Sequence, residues 1–228
     1  AMDDVRPKAV LAEFIGTTLF ATFGALEPSG ALGNGVLLAV LIYLTAAVSG
    51  GHLNPAVTLG FLVTGNQTVP EGIAYIVVQF AGGIVGALLS AGLTNTSLWL
   101  ATGPGCFHPT GSTTFVQVFC WEFMMTFLLV AVVFMLAVNP KAGHFVSAAP
   151  AVIGLALFAG ADCGAKYTMG SVNPARTLGP AVVFGCTWQN LGVFVYLAGE
   201  FLGGVCGALT VYWAFIRENL PGYQSVAQ

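Results

Sequence analysis

The chain has 228 residues, 57% hydrophobic and only 7% charged, with a net charge of −3 and a mean hydropathy of +0.87. A soluble domain carries about 25% charged residues, so most of this surface does not face water, and the small, dispersed charge excludes a nucleic-acid partner. What remains is an all-α membrane protein forming a single domain over residues 1–228, with the lipid bilayer as its main surroundings.

A spanning helix needs about 20 apolar residues. The first candidate, 8–26, carries Glu13-Phe14 and runs on past Ala9 without a signal-peptide cleavage site. The second covers 34–50. Next comes Gly51-His52-Leu53-Asn54-Pro55-Ala56-Val57-Thr58, opening an apolar stretch, 54–64, too short to cross. The third span, 71–93, contains Gln79-Phe80-Ala81-Gly82-Gly83 and is followed by a glycosylation sequon at Asn95-Thr96-Ser97. After a loop with Cys106-Phe107-His108-Pro109, the fourth span, 114–138, carries Glu122-Phe123. An Asn139-Pro140-Lys141 turn leads to the fifth span, 146–163. A second short stretch, 173–185, opens with Asn173-Pro174-Ala175-Arg176-Thr177. The sixth span, 188–216, contains Glu200-Phe201-Leu202-Gly203-Gly204.

The short stretches read as re-entrant half-helices, which lipid tolerates only when they are buried in protein or line a watery cavity. Asn is a strong N-cap, and Pro fits the first turn, where its missing N–H is no loss. The two halves match: Glu13-Phe14 with Glu122-Phe123, Asn54-Pro55-Ala56 with Asn173-Pro174-Ala175, Gln79-Phe80 with Glu200-Phe201. Three spans and one half-helix make a unit. An odd number of spans turns the second copy upside down, so repeats at about 8–93 and 114–216 are inverted, with their sites near the bilayer midplane. Arg6, Lys8, Lys141 and Arg217 fall on one side and Lys166 on the other, so both termini are expected in the cytoplasm.

The five cysteines show neither metal-ligand spacing nor CxxC, and four of them lie in or beside apolar stretches, where they are expected to act as small hydrophobes. No nucleophile–base pairing, phosphate loop or metal cluster is evident, so neither an enzyme nor a cofactor is expected.

These motifs, with the Arg two residues after the second Asn-Pro and the order of spans, resemble the major intrinsic protein family, the aquaporins and aquaglyceroporins, over nearly the whole chain. The resemblance implies six transmembrane helices plus two re-entrant half-helices around a central pore, and a homotetramer with one pore per subunit. Each half-helix N-terminus carries roughly half a positive charge. Two such ends facing a narrow pore repel cations, hydronium included, which is the accepted account of aquaporin-type pores. By resemblance, Asn54 and Asn173 donate to a passing water; read from the residues alone, they are helix caps. Arg176 is costly at membrane depth and so lines a pathway, unless it reaches the interface; by resemblance it is the filter arginine.

The family places three more filter residues twenty positions before the first motif Asn, and fifteen and six before the Arg. These are Asn34, Ala161 and Gly170. Strict water channels usually have Phe and His at the first two, and glycerol channels Trp, Gly and Phe across the three. A filter of Asn34, Ala161, Gly170 and Arg176 is expected to be wider and more polar than a water-only constriction. His108 either joins that filter, as a loop histidine does in vacuolar-type plant members, or is solvated. Glu13 and Glu122 are expected to hold the re-entrant backbone, with a proton relay as the other reading. His52 lines the cytoplasmic vestibule or packs at a helix end, and Glu200 is buried and hydrogen-bonded or faces a cavity.

Thr177 and Ala181 stand where glycerol-type members carry Asp and Lys. The expected function is a passive channel for water, with ammonia, urea, hydrogen peroxide or glycerol as possible small neutral solutes, in a plasma or internal membrane. The competing readings are a solute-selective aquaglyceroporin-like channel and an ion channel or secondary transporter.

Overall fold

A computed structural model describes residues 5–94, 103–186 and 192–219. The sequon at Asn95 and the first residues of the sixth predicted span, 188–191, lie outside them. Among the described residues all regular structure is helical.

Helix α1 is Pro7–Leu26 and α2 Ala31–Ser49, followed by the short α3, Pro55–Val63. Then come α4, Val69–Thr94, and α5, Phe115–Val133, which a π turn extends through Val138. Thr114 and Gln117 begin α5 with a reciprocal capping box. Helix α6 is Ala149–Thr168, α7 is Pro174–Phe184, and α8 is Gly192–Val211, continued by a π turn to Ile216. Six of these helices are long and apolar enough to cross a bilayer.

The fifth crossing differs from its predicted limits of 146–163. Residues Pro140–Ala148 form a 3-10 stretch kinked at Gly143, and α6 runs on to Thr168. Asp162 and Lys166 are both exposed, so the helix continues past 163 with its polar side chains turned outward.

The half-helices have 9 and 11 residues. At 1.5 Å per residue each is about 15 Å long, half of a hydrocarbon core of about 30 Å. Set end to end, they cover the thickness that one full span covers.

The bundle is built twice over. Helix α1 packs on α4 as α5 packs on α8, α2 packs on α6, and each half-helix lies against the opposite repeat, α3 on α8 and α7 on α4. Small residues make these approaches possible. A Cβ at Gly82 or Gly86 would strike the Phe14 and Thr18 carbonyls of α1, and one at Gly203 or Gly207 the Phe123 and Phe127 carbonyls of α5. Outward, Val40, Leu44, Val77, Val116 and Leu155 stand exposed, an apolar belt suited to lipid.

Arg6, just before α1, pairs with Glu71 in the first turn of α4, Nε to Oε1 2.8 Å. The two helices therefore start on one side. Chain order brings Lys141, after α5, and Arg217, after α8, back to that side.

Candidate functional site

The N-termini of α3 and α7 meet at the centre of the molecule. Asn54 caps α3 by accepting the Ala56 N–H on Oδ1 at 2.9 Å, and Asn173 caps α7 by accepting the Ala175 N–H at 2.9 Å. Each side chain also reaches across the repeat. Asn54 Nδ2 donates to the Val172 carbonyl at 2.9 Å, and Asn173 Nδ2 to the Leu53 carbonyl at 2.8 Å. One N–H of each amide is thereby fixed. Because the amide is planar, the direction of the second N–H is fixed too, and both asparagines line the inner cavity.

The cross-bracing requires an unusual backbone. Leu53 and Val172, the residues before the two asparagines, have φ of 51° and 58°. For a β-branched residue such as Val172 this region is strained, and the surrounding hydrogen bonds hold it. Glu13 accepts the His52 N–H at 2.9 Å, the Leu53 N–H at 2.7 Å and the Ser49 hydroxyl at 2.6 Å. In the other half, Glu122 accepts the Ser171 N–H at 3.3 Å and the Val172 N–H at 2.9 Å. Both carboxylates are fully buried. Tyr75 and Tyr196 complete the pattern by donating to the Ser49 and Thr168 carbonyls, each at 2.9 Å.

Two cavities approach this junction. The inner one, about 290 Å³, is lined by Phe20, His52, Asn54, Phe61, Val172 and Asn173 among others. The outer one, about 400 Å³, brings together Asn34, Ala161, Gly170, Arg176, Phe107 and His108. Leu157 lines both. All four residues placed in a filter by spacing thus face one cavity. Arg176 is buried, and its guanidinium donates weakly to the Ser171 carbonyl at 3.5 Å. Asn34 donates to the Gly30 carbonyl at 2.9 Å, while its buried Oδ1 has no hydrogen-bond partner among the described residues.

The two histidines differ. His52 is buried, within 3.1 Å of the Thr58 hydroxyl through Nδ1 and with its ring 4.2 Å from that of Phe61. It is packed at the helix end and also lines the inner cavity. His108 is exposed on the wall of the outer cavity. Its neighbour Phe107 is the buried residue, with its ring centroid 5.4 Å from the Arg176 guanidinium carbon. Phe20 of α1 covers Arg176 from another side at 4.7 Å. Sequence reasoning missed both rings, since Phe20 is one apolar residue among many in its span and Phe107 lies beside the more conspicuous histidine.

Two cysteines depart from the reading of most cysteines as small hydrophobes. Cys106 and Cys186 form a disulfide across a sequence separation of 80. A signal was present: the span order puts both in loops on the side away from Arg6, whereas Cys120, Cys163 and Cys206 fall within spans. Glu200 is fully buried and accepts from the Thr177 hydroxyl at 2.7 Å and the Asn173 N–H at 3.2 Å. Among the described residues no group of His, Cys, Asp and Glu could hold a metal.

Known proteins resemble this chain in fold and in sequence. The fold matches the X-ray structure of the aquaglyceroporin from Plasmodium falciparum with a TM-score of 0.76 at 22% identity, over 90% of this chain and 94% of that one. In sequence the chain is 36% identical to a probable aquaporin TIP2-2 and to aquaporin TIP1-1, both of Arabidopsis thaliana, each over 94% of this chain and 90% of the relative. It is 38% identical to a probable TIP-type aquaporin, RB7-18C, of Nicotiana tabacum, with the same coverage. Residues 4–212 match the family described as Major intrinsic protein. Inverted halves, crossed asparagines and these likenesses agree, and the chain belongs to the major intrinsic protein family.

Proposed function

We propose that this chain is a passive channel for water that also admits small neutral solutes and turns away protons and ions. The observation that carries the reading is the crossed pair Asn54 and Asn173, standing at the ends of two opposed half-helices where the cavities converge. Both helix N-termini direct partial positive charge at this point. A water entering it meets donors and a field hostile to cations, and so passes as an acceptor.

Asn34, Ala161, Gly170 and Arg176 form the filter in this proposal, with His108 at its outer rim. Of the four filter residues, only Asn34 and Arg176 present polar side chains. Arg176 offers a fixed fork of donors. A solute carrying a carbonyl, such as urea, accepts from that fork. Glu13 and Glu122 are structural in this proposal, holding the re-entrant backbone, and His52 belongs to the inner vestibule.

The single domain, with repeats at about 8–93 and 114–216, assembles as the homotetramer that the family resemblance implies, and both termini face the cytoplasm. Two observations support that orientation. The cations Arg6, Lys8, Lys141 and Arg217 gather on one side, and the disulfide lies on the other, where an oxidising compartment is expected.

Stopped-flow light scattering of proteoliposomes tests the channel. The expected result is fast osmotic shrinkage over empty vesicles and re-swelling in a urea gradient. Shrinkage no faster than that of bare lipid would remove the reading.

A further inference from the structure

We propose that the solute cut-off of this channel is set by an apolar collar of Phe20, Leu38 and Leu157, one helical turn inward of the residues that spacing places in the filter; the proposal deepens the channel reading above and rests on it. Among the described residues, three helices line both cavities, and on each the change from one cavity to the other takes a single turn. On α1 the wall passes from Gly24 in the outer cavity to Phe20 in the inner one, and on α2 from Asn34 to Leu38. On α6 it passes from Ala161 to Leu157, which borders both. Four residues cover about 6 Å of helix and lie on one face, so the three inner side chains stand at one level.

Every step runs from small outside to bulky inside. Gly24 and Gly170 have no side chain, and Ala161 has a single methyl group. Asn34 does not reach into the passage: its Nδ2 donates to the Gly30 carbonyl at 2.9 Å, and its Oδ1 is buried on the side of Gly24. One turn further in, Phe20, Leu38 and Leu157 are 2%, 4% and 2% exposed and belong to one packed cluster. Close packing fixes their positions. The Phe20 ring centroid lies 4.7 Å from the Arg176 guanidinium carbon, so the collar begins where the donor fork ends.

A solute released by Arg176 therefore meets hydrocarbon before it reaches Asn54 and Asn173. It gives up part of its hydration there, and a polar group without a partner is costly in apolar surroundings. Glycerol, with three hydroxyls on a flexible chain, is held back more than flat urea, and both more than water. Rings placed at Asn34 and Ala161 would add a second constriction outside this collar.

The test measures urea, glycerol and water permeability in the same proteoliposomes for the natural chain, Leu157→Ala and Leu38→Ala. Leu155→Ala and Val40→Ala serve as controls, because they thin the same two helices on their exposed, lipid-side faces. Each collar variant is expected to raise the glycerol-to-water ratio about fivefold, equivalent to about 1 kcal/mol, with a smaller rise for urea and water flow kept. The controls are expected to match the natural chain. Should an alanine variant not assemble, Leu157→Val and Leu38→Val remove one methylene each and are expected to give about a twofold rise. Leu157→Phe is expected to shift the ratio the other way. Unchanged ratios in assembled collar variants overturn the proposal, and so does an equal rise in the controls, which would assign the effect to loosened helices. A natural chain with no water flow above empty vesicles would instead defeat the channel reading.

Discussion

Gln79 and Glu200 hold equivalent places in the two halves, and each accepts from the threonine of its own half, Thr58 at 3.2 Å and Thr177 at 2.7 Å, but Gln79 donates as well. Gln79 Nε2 donates to Glu13 Oε2 at 2.8 Å and to the Thr58 hydroxyl at 2.9 Å. Glu200 Oε1 accepts from Thr177 and from the Asn173 N–H. Its other oxygen, Oε2, is buried without a hydrogen-bond partner among the described residues. Glu200→Gln keeps the accepting oxygen and restores the amide that the first repeat uses. Its thermal unfolding in detergent is expected at or above that of the natural chain. Glu200→Leu strands the Asn173 N–H in a buried place, at about 1–3 kcal/mol, while the Thr177 hydroxyl keeps only Ser171 Oγ at 2.6 Å, and the variant is expected to unfold at a visibly lower temperature. Equal melting of the two variants would mean that Glu200 does not support the second motif.

Glu13 has the heavier task, because its two oxygens accept from Ser49, His52, Leu53 and Gln79. Glu13→Gln turns an amide N–H toward at least one of these donors. A hydrogen bond to a charged group contributes about 1.5–3 kcal/mol, and Leu53 needs it to keep its positive φ. Water permeability per molecule is expected to fall by about tenfold or more, the equivalent of about 1.4 kcal/mol. Quantified reconstitution beside stopped-flow measurement checks this. Retention of full flux would show that the αL turn holds without its carboxylate.

The proposed filter predicts a change of selectivity. Asn34→Phe with Ala161→His adds a ring and an imidazole to the outer cavity. Urea and glycerol flux should drop to the level of empty vesicles while water flux stays within a few-fold of the natural value. Solute fluxes that survive the double substitution would show that the narrow point lies elsewhere.

Gly83 and Gly204 test the seating of the half-helices. A Cβ at Gly83 would meet the Ala175 carbonyl of α7, and one at Gly204 the Ala56 carbonyl of α3. Either Gly→Val substitution is expected to cost about 1–3 kcal/mol by overpacking and to reduce the yield of monodisperse protein. The two should behave alike, since they are repeat equivalents. Size-exclusion chromatography after detergent extraction reads the effect.

Local chemistry explains why so much was legible in the sequence. Asn54-Pro55 and Asn173-Pro174 announce a helix start without help from the rest of the chain, and apolar length announces a span. The repeat did more, since matching Glu13 to Glu122 put both halves in one frame. What stayed hidden depends on tertiary approach. Nothing in Leu53 or Val172 as residues announces a positive φ, which exists because Glu13, Glu122 and the opposite asparagine impose it. Phe20 and Phe107 reach Arg176 from a helix and a loop far apart in sequence. The disulfide was hidden because nothing local joins Cys106 to Cys186 across a separation of 80, although the side of the membrane they share distinguished them from the other three. The end of the fifth span also went unread, since α6 runs past 163 to Thr168 with Asp162 and Lys166 on its exposed side.

The central claim is that opposed half-helix ends let neutral molecules through and refuse protons. The most direct measurement records water flow and proton flow in one population of proteoliposomes, with a trapped pH dye and an imposed pH gradient. The account predicts rapid osmotic water flow with proton leakage no greater than that of empty vesicles. Proton entry that rises in step with water flow as more protein is added would contradict it.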